Sequence, residues 1–219
     1  MIGLPNQTIS DVDETLQKIL EKNPEHISVY SLIIEEGTLL QKKIKKGELK
    51  TLDDDIERAM YWRVKDVLEK NNYIQYEISN FSKPSYESKH NIDCWKQKEY
   101  IGIGIAAHSY LNAMRFSNIC NLEEYIKNIQ NQEHNKNVII HEKQDNNTMM
   151  NEYMILGLRM LKGINIEEFK NKFHVNPIKR YQKELEKMEK ANLLELNDKN
   201  IMLTKKGIDF ANIVWEEFI

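Results

Sequence analysis

Apolar positions recur at helical spacing over residues 9–22. Val12, Leu16, Ile19 and Leu20 form one stripe behind a Thr8 or Ser10 cap and an acidic first turn of Asp11, Asp13 and Glu14. Asn23-Pro24 ends that helix. Residues 26–35 (HISVYSLIIE) are rich in β-branched and aromatic types, which predicts a strand. Its Leu32-Ile33-Ile34 end is apolar on both faces, as in a covered parallel strand. Residues 42–50, with Lys42, Lys43, Lys45, Lys46 and Lys50, read as a basic loop or short helix, either a solvated surface or an anchor for an acidic ligand. Thr51 opens a second long helix, with Asp53, Asp54 and Asp55 in its first turn and Ile56, Met60, Val64, Val67 and Leu68 facing inward. Asn71-Asn72 closes it, and an apolar, aromatic strand follows over residues 73–78.

A further apolar run covers residues 100–110, with Gly102 and Gly104 inside it and His108-Ser109 near its end. It predicts a strand with a backbone surface open to close approach. Before it lies a polar, aromatic loop, His90-Asn91-Ile92-Asp93-Cys94-Trp95. Met1-Ile2-Gly3-Leu4-Pro5 reads either as the end of a strand whose upstream sequence is missing or as a short edge strand. The alternation of strands and helices predicts βαβ units with parallel neighbours, and ligands then sit at the strands' C-terminal ends. Those ends are residues 3–5, 33–35, 77–80 and 104–109.

Residues 128–147 are mostly polar, with one apolar island at 138–140, and give the best linker. Beyond them the pattern changes. Met150, Tyr153, Leu156 and Leu161 mark a helix that Gly163 breaks. Ile166, Phe169 and Phe173 mark a second, and Pro177 starts a third containing Tyr181, Leu185 and Met188. Asn197-Asp198-Lys199-Asn200 joins two short apolar runs as a hairpin, and Thr204 caps a last helix. Three helices, a hairpin and a closing helix describe a winged-helix module.

The net charge of −3 gives no global basic field for nucleic acid. Lys179, Arg180 and Lys183 sit where a recognition helix would touch DNA, but Glu184, Glu186 and Glu189 share that helix, which favours a solvated face. No apolar run is long enough to span a bilayer, the first residues do not read as a leader, and the expected compartment is the cytoplasm. The two cysteines, Cys94 and Cys120, match a reducing environment and cannot alone hold a four-ligand zinc or iron–sulfur site. Beside Asn91 and Trp95, His90 has the chemistry to ligate haem iron or relay protons; the plain alternative is a hydrogen bond to loop backbone. Cys94 has the chemistry of a thiolate ligand, against the commoner buried, inert thiol. Glu35 and Glu77 are candidate acids in a pocket, or solvated or paired carboxylates. The segment 102–108 is not a dinucleotide fingerprint, because the third glycine is absent.

Seven blocks carry a resemblance: GLPNQT (3–8), HISVYSLIIEEGT (26–38), YEISNFSKP (76–84), HNIDCW (90–95), YIGIGIAAHSYL (100–111), LGLRMLKGI (156–164) and LTKKGIDFANIVWEEF (203–218). In that order they resemble the oxygen-independent coproporphyrinogen III oxidase family of radical S-adenosylmethionine proteins, on its haem-chaperone branch. The resemblance implies an α/β fold: an incomplete radical-SAM (β/α) partial barrel, then an α+β winged-helix-like C-terminal domain. The corresponding boundaries are 1–130 for the barrel part, 131–147 for a linker and 148–219 for the last domain.

The resemblance also implies three cofactors for the full-length protein: S-adenosylmethionine, a [4Fe–4S] cluster and haem. The cluster's three closely spaced cysteines are absent from this chain, which therefore resembles a C-terminal portion, is expected to have no radical activity alone, and receives no catalytic residue. By resemblance, Ile33 and the run Gly104, Ile105, Ala106, Ala107 and His108 line the S-adenosylmethionine side. His90, Asn91 and Trp95 match the haem motif, with His90 as the iron ligand. The motif's usual Tyr is Cys94 here, and its usual Gly-Ala before His-Ser is Ala106-Ala107.

Haem or another tetrapyrrole and haem-accepting proteins are the implied partners, with no nucleic acid. Peripheral membrane contact is left open for the full-length protein, as is self-association through an open sheet edge at Leu4. The alternatives are a portion of a true oxidase acting on coproporphyrinogen III in porphyrin biosynthesis, and a winged-helix nucleic-acid binder.

Overall fold

A computed structural model describes residues 1–219, which divide into two compact units, Met1–Ser88 and Lys89–Ile219.

In the first unit, helix α1 (Ile9–Lys22) starts at a reciprocal cap: the Thr8 hydroxyl accepts from the Asp11 N–H, and the Asp11 carboxylate accepts from the Thr8 N–H at 2.8 Å. Val12 and Leu16 are buried as the spacing predicts. Strand β1 (His26–Ser28) is far shorter than the predicted 26–35, and helix α2 (Leu39–Lys45) buries no residue. Helix α3 (Asp54–Lys70), capped by Asp53, buries Met60, Tyr61, Val64 and Leu68, while Ile56 faces out. Its Arg63 pairs with Asp13 of α1 at 2.7 Å.

Strands β2 (Ile74–Glu77) and β3 (Asn80–Ser82) correct the parallel-crossover expectation. The sheet order is β1-β3-β2, and β3 pairs antiparallel with both neighbours. The chain reverses at Ile78-Ser79, where the fully buried Glu77 carboxylate accepts the Ser79 N–H at 2.9 Å and the Asn80 side-chain amide. Glu77 thus holds a hairpin turn rather than acting as a pocket acid. Parallel pairing survives at one bridge, Ile2 with Ser31, where the Ile2 N–H donates to Tyr30 and the Leu32 N–H donates to Ile2.

The second unit begins with helix α4 (Lys89–Trp95). Strands β4 (His108–Leu111) and β5 (Met114–Asn118) follow, then helix α5 (Leu122–Gln130) and strand β6 (Val138–Lys143), giving an antiparallel sheet in the order β4-β5-β6. The predicted strand over 100–110 is mostly loop. Gly104 (φ 98°) and Ala106 (φ 57°) break extended geometry, and the run folds back so that Tyr100 pairs with Tyr110. A two-residue turn with positive φ at Asn112 and Ala113 joins β4 to β5. The expected linker over 131–147 instead carries a 3-10 turn at His134–Asn137 and all of β6, built on the apolar island at 138–140.

Helix α6 (Asn146–Gly157), strand β7 (Ile164–Asn165), helices α7 (Ile166–Phe173), α8 (Pro177–Arg180) and α9 (Gln182–Lys190), strands β8 (Leu194–Leu196) and β9 (Asn200–Leu203), and helices α10 (Lys205–Asp209) and α11 (Ala211–Glu216) complete the chain. Their order and the sheet β7-β9-β8 follow the winged-helix pattern read from the sequence. The core is an aromatic chain in which Tyr153, Phe169, Tyr181 and Phe218 meet mainly edge to face, at centroid separations of 5.6, 6.3 and 5.3 Å. Gly163 (φ 65°) lets the chain pass the Ile201 carbonyl, which an added Cβ would meet at 2.0 Å.

Candidate functional site

The segment HNIDCW, expected as a loop, is helix α4. Hydrogen bonds from Lys96 to Ile92, Gln97 to Cys94 and Lys98 to Asp93 close its last turn, and Gln97 ends it at φ 52°. Positions 90 and 94 are one turn apart and share a face. His90 is exposed, with Nε2 3.7 Å from the Cys94 Sγ. The His90 ring meets Tyr100 edge-on at 6.1 Å between centroids. Asn91 and Trp95 are half-buried. The Trp95 ring lies under the Arg159 guanidinium at 4.4 Å, and its indole N–H is buried with no acceptor. Burial, then the Asp93 charge, push the Cys94 thiol up; Arg115 opposes them.

The C-terminal end of α4 is clamped to the winged-helix elements. Gln97 is buried; its side-chain amide donates to the Met149 carbonyl at 3.2 Å and to Glu152 Oε2 at 2.9 Å. Lys172 of α7 donates to the Gln97 backbone carbonyl and to its Oε1, each at 3.1 Å. Burial pulls the Lys172 ammonium below its ordinary value, while Glu152 and Glu99 oppose that shift. Arg115 of β5 and Gln144 also bond Glu152, and Lys96 pairs with Glu168 at 3.0 Å. The C-terminal end of the motif helix is held while its His90 end stays open to solvent.

Two small cavities flank α4. One of about 140 Å³ is lined by Cys94, Trp95, Tyr100, Tyr110 and Arg115 among others. The other, about 220 Å³, lies between Trp95 and the β7 region. His90 lines neither, and neither approaches the several hundred Å³ that an enclosed drug-sized ligand needs. A ligand held by His90 would therefore lie on an open face.

The HemN C-terminal domain family matches residues 144–210. Heme chaperone HemW of Lactococcus lactis is 35% identical over 217 residues, covering 99% of this chain and 56% of that protein. Heme chaperone HemW of Bacillus subtilis is 31% identical over 222 residues, covering 100% of this chain and 57% of that protein. The chain belongs to the HemN-like radical S-adenosylmethionine family, in its haem-chaperone branch. It spans about half the length of the curated relatives it matches. A solved HemN-like structure, coproporphyrinogen III oxidase (HemN) from Escherichia coli, superposes with a TM-score of 0.77 over 99% of this chain and 53% of that one. At 18% identity that likeness shows the fold alone.

The remaining HemN-like positions fall as follows. Ile33 is 73% exposed, in an irregular segment of the first unit. Gly104, Ile105, Ala106 and Ala107 form a loop in the second unit, and His108 opens β4. That loop is pinned by hydrogen bonds from the Asn118 amide to Gly104, the Asn118 N–H to Ala107 and the Ala106 N–H to Ile119. The His108 ring stacks on His141 at 5.5 Å. The residues present do not fit a [4Fe–4S] cluster: Cys94 and Cys120 are the only thiols, and no three metal-ligating side chains converge. For haem the donor chemistry does fit, since His90 is an accessible imidazole on a held helix.

Local pattern missed Gln97, Arg115, Glu152 and Lys172, whose contacts span 37 to 75 residues. Arg159 lies inside the LGLRMLKGI block, the one signal that could have found it.

Proposed function

We propose that this chain is the haem-engaging portion of a haem chaperone: it holds haem through His90 and passes it to haem-accepting proteins. The observation that carries the reading is the exposed His90 imidazole on a helix whose other end is clamped by Gln97. Relatives at 31–35% identity that bear the chaperone name support it. Haem, when bound, would supply an iron able to take an imidazole donor. The chain's own residues supply the imidazole, the Tyr100 edge packed against it, and the half-buried Asn91 and Trp95 of the same helix. Ile33 and residues 104–108 belong in this reading to the S-adenosylmethionine side of the complete protein, and residues 148–219 to its C-terminal domain.

The same reading places the protein in the cytoplasm; no helix is long and apolar enough to cross a membrane. Pairing of a second copy along the sheet edge at residues 1–4 belongs to it as well. Light scattering that gives one monomer mass at every concentration would end that part. Oxidase chemistry on coproporphyrinogen III is the second reading, and it rests on the fold likeness alone.

Haem titration of the wild type and His90→Ala tests the proposal. A Soret band that differs between them supports it; identical spectra and affinities remove His90.

A further inference from the structure

We infer that Cys94 is a second axial donor to the iron, competing with His90 for the same coordination position. The inference rests on the haem reading above and adds a thiolate to it. His90 Nε2 and Cys94 Sγ stand 3.7 Å apart on one face of α4. Donors on opposite sides of the iron would need the macrocycle between them. With the two donor atoms 3.7 Å apart on one helix face, no room is left between them for that ring. Both donors therefore approach the iron from the same side, and one binds at a time.

Cys94 is placed for this role. Its carbonyl is held by the Gln97 N–H at 3.0 Å, and Gln97 is itself held by Glu152 and Lys172. Its side chain lines the 140 Å³ cavity with Tyr100 and Arg115, so the sulfur has space beside it rather than packed core. Binding is balanced as an exchange: the iron–sulfur bond forms, the S–H bond breaks, and the proton leaves to solvent. A tyrosine at this position would put a phenol there and lose the soft donor.

The test uses the full chain in a Cys120→Ser background, because Cys120 is exposed and offers haem a second thiol. Ferric haem is bound to this parent, to His90→Ala, Cys94→Ser and Cys94→Tyr, and to the double variant His90→Ala/Cys94→Ser. Electron paramagnetic resonance of the ferric form and the Soret band of the ferrous–CO form are read. The parent shows a mixture of imidazole and thiolate signatures, and His90→Ala shows thiolate signatures only. Cys94→Ser and Cys94→Tyr show imidazole signatures only. Each single serine or alanine variant keeps affinity within about tenfold, and the double variant loses more than about a hundredfold. Matching circular dichroism shows that the variants are folded.

A parent that binds haem with imidazole signatures only, unchanged by Cys94→Ser, overturns the role of Cys94 and leaves the haem reading standing. A parent with no saturable haem binding, or a double variant that binds as well as the parent, overturns both.

Discussion

The Arg159 guanidinium lies 4.4 Å from the centroid of the Trp95 ring and 5.2 Å from that of Trp215. One cation thus joins the motif helix to the last helix of the winged-helix module. A half-buried cation–aromatic contact contributes about 0.5–2 kcal/mol. Replacing Arg159 by Leu should lower the thermal midpoint by several degrees, at about 2–4 °C per kcal/mol for a chain of this size. Tryptophan emission should shift to the red before global unfolding. An unchanged midpoint and emission would show that the contact contributes nothing.

Glu152 gathers Gln97, Arg115 and Gln144 onto one carboxylate. Removing it takes the carboxylate from a partly buried guanidinium and one of two acceptors from the buried Gln97 amide, so Glu152→Ala should destabilise by about 2 kcal/mol. Glu152→Gln keeps one acceptor oxygen and the side-chain volume and should lose less. The denaturant midpoints of the two variants check this, and equal losses would show that hydrogen bonding at Glu152 does not matter.

Gly163 and Gly104 both have positive φ, yet their surroundings differ. A Cβ at Gly163 meets the Ile201 carbonyl at 2.0 Å and Met202 Cγ at 2.7 Å, whereas one at Gly104 meets nothing within 4 Å. Gly163→Ala should therefore destabilise by about 3 kcal/mol or more, and Gly104→Ala by about 1 kcal/mol from backbone strain alone. Similar losses in urea melts would contradict the packing at Gly163.

Burial pushes the Tyr153 and Tyr181 phenols up to about 12. Their folded values lie above the unfolded value of about 10, so the protonated forms favour the native state. Their contribution is complete below about pH 10 and is lost as pH rises toward about 12. Urea midpoints should be level up to about pH 9 and fall by about pH 11. Tyr153→Phe should flatten part of that fall. A wild-type midpoint constant across this window would contradict the burial.

Much of the architecture is legible in local pattern. Thr8 with Asp11, the Met60–Val64–Leu68 stripe and the Phe169–Tyr181–Leu185 series each act within a few turns of chain, so spacing reveals them. The hairpin at Ile78-Ser79 was hidden because its cause is a single buried carboxylate, Glu77, inside an apolar run. The loop at 101–107 was hidden because Ala106 takes a left-handed conformation that its side chain does not advertise. The motif residues His90, Asn91 and Trp95 were legible as a block, but their helical geometry and the Gln97 clamp were not. The clamp's partners, Glu152 and Lys172, come from elements 55 and 75 residues away.

The most direct measurement is a ferric haem titration of the full chain, followed at the Soret band, for the wild type and His90→Ala with Cys120 replaced by Ser in both. The account predicts saturable, stoichiometric binding in the wild type and a changed band in His90→Ala. Failure of the wild type to saturate, or superimposable titrations of the two proteins, would contradict it.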